Sequence, residues 1–249
     1  MIPLIVRSHH SLMQGTCSPE KICIAAKKLG YSRLALTDIN NLYGIRPFLN
    51  ACKDVNIIPI VGAEVTDLSS GLRAACLVEN QEGYRNLCRL ITARHCKKSF
   101  DLRSELTGHA KGLVILTRSE TLLRNLHEAD ATVAAAASCK PSSAAFKLRK
   151  TAKSIGVPMV ATPDSFFTVP DDFHIHRMLR AIDLNTITDR LSKTDTAHPQ
   201  AWPASPAVYK KRFDIWPDTI NATYEISERL TFTGPEFGLV MPPWEGKNG

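Results

Sequence analysis

The sequence predicts an α/β fold built around a mostly parallel sheet, open or closed into a barrel. Short apolar runs, each ending in one or two polar residues, recur at residues 3–11, 34–38, 57–64, 72–80, 113–119 and 157–164. Between them lie segments whose apolar residues repeat at helical spacing, the alternation expected of strands joined by crossover helices. A chain of 249 residues suits one barrel-sized domain or two small ones.

The first run, Leu4, Ile5 and Val6, leads into the polar knot Arg7-Ser8-His9-His10-Ser11, which reads as a buried strand and its C-terminal mouth. In a parallel barrel that mouth is where active sites are built. Ser18 and Pro19 start the first helix, as N-cap and first helical residue, and Gly30 lies past its end. Residues 33–37 form the second strand, with Asp38-Ile39-Asn40-Asn41 at its mouth. A helix over 43–55 follows, then strands over 57–65, carrying Glu64, and over 72–78. Residues 82–94 form a helix with Tyr84, Leu87, Cys88 and Ile91 on one side and Arg85 and Arg89 on the other. After a basic segment come a short helix at 102–106, a strand at 112–117 and a helix reaching His127. Residues 131–138 read as strand, 140–155 as a basic helix, 157–162 as strand and 171–183 as helix. Residues 184–206 are rich in Thr, Ser, Asp and Pro and read as a long surface loop, followed by helices at 209–213 and 217–230. The end, 237–249, contains Pro242-Pro243 and shows neither a helix nor a strand period.

The apolar fraction of 44% is normal for a chain with a real core. No apolar run approaches the length of a membrane span, and the N-terminus lacks the pattern of a signal peptide. The seven cysteines show no C-x-x-C spacing and several fall at apolar positions of predicted elements, so they read as reduced core residues of a cytosolic protein. A formal net charge of +7 points to an acidic partner such as nucleic acid, or simply to a soluble basic protein.

The stretches VRSHHSLMQG (6–15), LGYSRLALTDINNLYG (29–44), IPIVGAE (58–64), GYRNL (83–87) and VATPDSFF (160–167), followed by His176, resemble the PHP (polymerase and histidinol phosphatase) family. They are most similar to the N-terminal PHP domain of bacterial C-family DNA polymerases, the replicative alpha subunit and its error-prone relatives. The resemblance implies a distorted seven-stranded β/α barrel over residues 1–235 with a short irregular C-terminal extension. Residues 236–249 would then be a linker toward a polymerase palm. It also implies a ring of His, Asp, Glu and Cys ligands at the strand ends, able to hold divalent metals for phosphoester hydrolysis. Most of those positions differ here. Ile5 and Arg7 stand in the first His-x-His, Gln14 replaces an Asp, Ile39 a His, Arg73 a His, and Phe166 the last His, while Arg118 or Ser119 falls at a Cys or His position. Glu64 and Asp164 alone survive clearly.

Single residues admit two readings. His9 and His10 are metal-ligand types, but neighbours on a strand point to opposite faces, which favours ordinary strand-end histidines. His174 and His176, two apart, take different faces of a helix, and His176 reads better as a structural hydrogen-bonding residue than as a base. Asp38 is either a catalytic carboxylate or the acceptor of backbone N–H groups in the turn before Tyr43. Arg85 and Arg89, and the cluster Lys147, Arg149, Lys150 and Lys153, are either DNA-phosphate contacts or solvated helix faces, without interleaved aromatics.

The resemblance thus implies a non-catalytic scaffolding domain, whose vestigial site would comprise Arg7, His9, Gln14, Asp38, Glu64, Arg73 and Asp164. It needs no cofactor of its own, Mg belonging to the polymerase centre. Its partners would be the palm and thumb of the same chain, DNA and a proofreading exonuclease, in the cytoplasm. The competing class is a metal-dependent phosphoesterase or 3′–5′ exonuclease. Losing cations while keeping two carboxylates predicts that Arg7 or Arg73 reaches Glu64 or Asp164, with Ile39 and Phe166 filling volume nearby.

Overall fold

The structure is a computed structural model and describes residues 1–139 and 142–235. Six strands form one curled sheet in chain order: β1 (Arg33–Ile39), β2 (Ile58–Thr66), β3 (Arg73–Val78), β4 (Leu113–Thr117), β5 (Val133–Ala137) and β6 (Met159–Ala161). Around them run α1 (Pro19–Lys28), α2 (Ile45–Asp54), α3 (Gln81–Cys96), α4 (Leu102–His109), α5 (Glu120–Glu128), α6 (Ser143–Ser154), α7 (Phe173–Asp183), α8 (Pro206–Arg212) and α9 (Asp218–Arg229). The linker expected at 236–249 lies outside the described residues, as do the first two residues of the helix expected at 140–155.

The local signals act as their chemistry requires. Ser18 accepts a hydrogen bond from the Lys21 N–H at the start of α1, Asn80 accepts from Gly83 at α3, and Ser119 from Leu122 at α5. Along each strand alternate residues enter opposite clusters. Ala35, Ile60, Ala75, Leu77, Val114, Leu116, Ala134 and Val160 share the inner one with Leu4 and Ile5. Leu34, Val61, Cys76, Val78, Leu113 and Ile115 face the helices. Both faces are therefore buried, which is why the strands read as nearly continuous apolar runs. Each fully buried large aliphatic side chain contributes about 1.5–3 kcal/mol relative to exposure.

One sequence expectation holds with an exception and one needs correction. The sheet is mostly parallel, five of the six strands running the same way, and β3 is the exception. β3 runs antiparallel to both β2 and β4, while β1–β2, β4–β5 and β5–β6 are parallel. The cause is the tight link between β2 and β3, too short for a crossover helix. Asp67 organises it by accepting bonds from Ser69 and Ser70. Hence the polar end of the 72–80 run, Glu79-Asn80, points to the opposite rim, and Arg73 at its beginning joins the rim of Glu64.

The first strand is also not a regular ladder strand. The Ala35 N–H donates to Pro3 O at 3.0 Å and the Thr37 N–H to Val6 O at 2.8 Å, but the Val6 N–H donates to the Thr37 hydroxyl instead of a carbonyl. On its other side Val6 makes an isolated parallel bridge to Ser165, with the Arg7 N–H donating to Ser165 O at 3.0 Å. Residues 3–7 therefore fill the space between β1 and the chain after β6, curling the sheet toward closure. At the far rim α9 packs Ile226 and Leu230 against the inner cluster, and Arg33 donates to Leu230 O.

Candidate functional site

The rim formed by the ends of β1, β2, β4 and β6 and the start of β3 gathers a cluster of ionised side chains. Arg7 leaves the leading segment and is 3% exposed. Its Nε donates to Glu64 Oε2 at 3.0 Å, its Nη2 meets the same oxygen, and its Nη1 donates to Asp164 Oδ1 at 3.1 Å. Arg118, following β4, donates from Nη1 to Asp164 Oδ2 at 2.8 Å and from Nη2 to Thr162 O at 2.9 Å. Arg73 approaches Glu64 Oε1 at 3.4 Å. That is an ion-pair distance, yet Glu64 Oε1 has no hydrogen-bond partner among the described residues. Three guanidinium groups thus face two carboxylates.

At Arg7, Arg118 and Asp164 burial works against the charge, and the opposite charges outweigh it. Arg118 and Arg7 hold the Asp164 carboxyl well below the usual carboxylate range, although burial alone would raise it. For Arg7, desolvation is overcome by Glu64 and Asp164, so its pKa lies above the ordinary arginine value. The Arg7 guanidinium also lies 4.2 Å from the centroid of the Phe166 ring, a cation–π arrangement. Phe166 and Ile39 pack into one apolar cluster with Phe167 and Ala201, next to the charges.

A second arrangement surrounds Asp38. Its Oδ1 accepts from the Ser8 N–H at 2.7 Å and the Ser11 hydroxyl at 2.6 Å, and its Oδ2 from the Ser8 hydroxyl at 2.8 Å. Asp38 therefore organises the polar knot after the leading segment and not the turn before Tyr43, where Asn41 Oδ1 is the acceptor. The expectation about that turn is corrected accordingly: the knot folds back over β1 and reaches Asp38 first.

His9 and His10 sit in a turn, so strand alternation does not apply to them. Their rings lie 4.4 Å apart and their Nε2 atoms 3.3 Å apart, with His9 exposed. Gln14 and His176 do come together. The Gln14 carbonyl lies 2.6 Å from His176 Nδ1, and His176 Nε2 accepts the Ala197 N–H at 2.8 Å. That acceptor role fixes the proton on Nδ1 and leaves the ring neutral. Burial lowers the His176 pKa, the Gln14 bond works against this, and the positive charges of Arg180 and Arg7 add to the lowering.

Gln14, Arg73, Asp164, Phe166 and His176 line a cleft of about 420 Å³, walled on its far side by residues 194–201. Arg85, Arg89, Lys147 and Lys150 are all exposed on α3 and α6, and none of them lines this cleft. Among the described residues no group of three His, Cys, Asp or Glu side chains is placed to hold a metal ion. Arg118, placed by the sequence at a Cys or His ligand position but not counted in the vestigial site, is the further member of the cluster. Its signal was present, since it directly follows the apolar run of β4 as Asp38 follows most of β1.

The family profile described as "PHP domain" matches residues 4–165. The chain belongs to the PHP family. The DNA polymerase III subunit alpha of Chlamydia trachomatis is 25% identical to it, over 100% of this chain and 26% of that protein. An error-prone DNA polymerase of Symbiobacterium thermophilum is 28% identical over 92% of this chain and 25% of that protein. This PHP chain thus spans about a quarter of the length of the curated relatives it matches. Among solved structures, an amidohydrolase from Chromobacterium violaceum with bound sulfate and no metal aligns with a TM-score of 0.50 at 12% identity, over 85% of this chain and 96% of that one. A two-domain protein from Bacteroides vulgatus containing a predicted PHP-like metal-dependent phosphoesterase aligns with a TM-score of 0.51 at 11% identity, over 71% and 55%. These likenesses agree with the PHP fold. Among the described residues no helix is long and apolar enough to cross a membrane.

Proposed function

We propose that this PHP domain is a non-catalytic, structural part of a bacterial C-family DNA polymerase, with guanidinium groups in place of the family's metal ions. One observation carries the reading: Arg7 engages both Glu64 and Asp164, the two surviving ligand-type carboxylates. A divalent cluster needs several neutral or anionic donors directed at one point. Here the anionic donors are already bound to fixed cations, and Arg73 and Arg118 add positive charge that would repel a metal ion. The residues present do not fit the metal centre.

The curated relatives are polymerases about four times as long, which supports a role beside a palm and thumb in one chain, with DNA and a proofreading exonuclease as partners in the cytoplasm. Mg would serve the polymerase centre and not this domain. The test combines elemental analysis of the purified chain after exposure to Mn, Fe and Zn with a phosphodiester hydrolysis assay. Less than stoichiometric metal and no turnover are expected. One tightly held ion per chain with turnover would overturn the proposal in favour of a phosphoesterase.

A further inference from the structure

We propose that the solvent face of α6 is a docking surface for single-stranded nucleic acid, with Phe146 as a stacking platform and Lys147, Lys150 and Lys153 as phosphate contacts. The class of partner rests on the reading above, in which DNA is a partner, whereas the surface does not depend on the fate of the metal site. The first support is charge. α6 carries Lys147, Arg149, Lys150 and Lys153 and no acidic residue. Arg149 turns toward the protein, donating to both carboxylate oxygens of Asp218 at 2.9 Å with its guanidinium 5.2 Å from the centroid of the Trp216 ring. The three lysines are exposed. Among the described residues the ion-paired lysines are Lys97 and Lys111, so these three keep their charge for a ligand. Two acids beside α6 are already engaged: Glu120 accepts from Arg124 at 3.2 Å and from Thr151 at 2.7 Å, and Asp218 from Arg149.

The second support is an aromatic ring among these charges. Phe146 is 52% exposed. Its ring meets the buried Trp216 in a T-shaped contact, centroids 5.0 Å apart, so the side chain is held in place while much of it faces solvent. Residues 146, 150 and 153 are spaced i, i+4, i+7 along one stripe of the helix. The ring therefore shares a line with two of the ammonium groups, which the linear order of the charges did not show. The other basic helix face lacks this arrangement. On α3 the aromatic Tyr84 is half-buried and stacks on Phe232 at 5.4 Å, and Arg89 donates to Asn86. Every base has a π-face to lay on an exposed ring while cations follow the backbone, and the pair recognises single strands with little regard to sequence. A duplex keeps its bases stacked on one another and would meet the lysines alone.

The experiment is a fluorescence-anisotropy titration of the 249-residue chain with a labelled oligothymidylate in EDTA, at several sodium chloride concentrations. Saturable binding is expected, three phosphate contacts giving a log–log salt slope of about −2. Lys147→Gln combined with Lys150→Gln should weaken binding and reduce the slope to about −0.7. Phe146→Leu, which keeps an apolar contact with Trp216 and removes the ring, should weaken binding at least about fivefold and leave the slope unchanged. Lys28→Gln, at an exposed position of α1, should bind as the wild type does, each variant being confirmed folded by circular dichroism. No saturable binding, equal binding of a duplex of the same length, or wild-type affinity in Phe146→Leu overturns the surface and leaves the metal-free reading of the rim intact. Loss of binding in Arg85→Gln in place of the lysine variant also overturns it, by putting the strand on α3. Co-sedimentation with phosphatidylglycerol vesicles in the absence of oligonucleotide binding would overturn it in favour of a membrane surface.

Discussion

Two nitrogens of the Arg7 guanidinium, Nε and Nη2, converge on one oxygen of Glu64, Oε2, inside the rim. Removing one partner of such a buried pair leaves the other uncompensated, at a cost of about 3–5 kcal/mol. Arg7→Met should therefore destabilise the domain by about that amount in urea unfolding, with Arg73 too distant to compensate fully. Arg7→Met combined with Glu64→Gln should be more stable than Arg7→Met alone. A double-mutant cycle showing independent effects would contradict the pairing.

Asp164 gives the domain an acid limit. Its folded pKa lies below the ordinary 3.8, so it contributes stability that is complete above that value and declines as pH falls through it. Wild-type stability should drop between about pH 5 and pH 3 more steeply than that of Asp164→Asn. The check is a set of urea melts at several pH values, and parallel curves would contradict the assignment.

His176 acts at milder pH. Its folded pKa is below the ordinary 6.5 because the ring is buried and must accept the Ala197 N–H, with Arg180 and Arg7 disfavouring protonation. Stability is then complete above 6.5 and declines as pH falls below it, since the unfolded chain takes up the proton first. His176→Gln should flatten the thermal-stability profile between pH 7.5 and 5, while lowering its plateau.

Gly15 closes the polar knot. A Cβ there would lie 1.9 Å from the Ser8 carbonyl oxygen, and backbone cannot yield as a flexible side chain does. Gly15→Ala should destabilise by about 1–3 kcal/mol, the usual range for overpacking, as read by chemical denaturation. Gly30→Ala serves as a comparison in open space, where only the positive φ of 84° is strained.

The strands and the first helix cap were legible because both are written in local chemistry: apolar runs of strand length, and Ser18-Pro19 ahead of helical spacing. Strand direction was not legible at β3, because periodicity is the same whichever way a strand runs. Pairing at the leading segment was hidden as well, since Thr37 replaces a ladder acceptor with its hydroxyl. At the rim, arginines at ligand positions next to retained carboxylates foretold Arg7 with Glu64 and Asp164. Arg118 required three dimensions, because only the curl of the sheet sets the residue after β4 beside the residue after β6. The bonds of Asp38 to Ser8 and Ser11 depend in the same way on how the knot folds back.

The reversal of β3 also bears on the order in which the rim assembles. Glu64 and Arg73 belong to one hairpin, so closing that contact requires only a short loop, whereas Arg7 and Asp164 are separated by 157 positions. Contacts between distant segments come late when a chain folds. The hairpin side of the cluster should accordingly be formed in the folding transition state, and the Arg7–Asp164 link should close after it. In stopped-flow measurements Asp164→Asn should accelerate unfolding and leave refolding nearly unchanged, while substitutions within the β2–β3 hairpin should slow refolding. The last bond to seal the barrel would be the first to open.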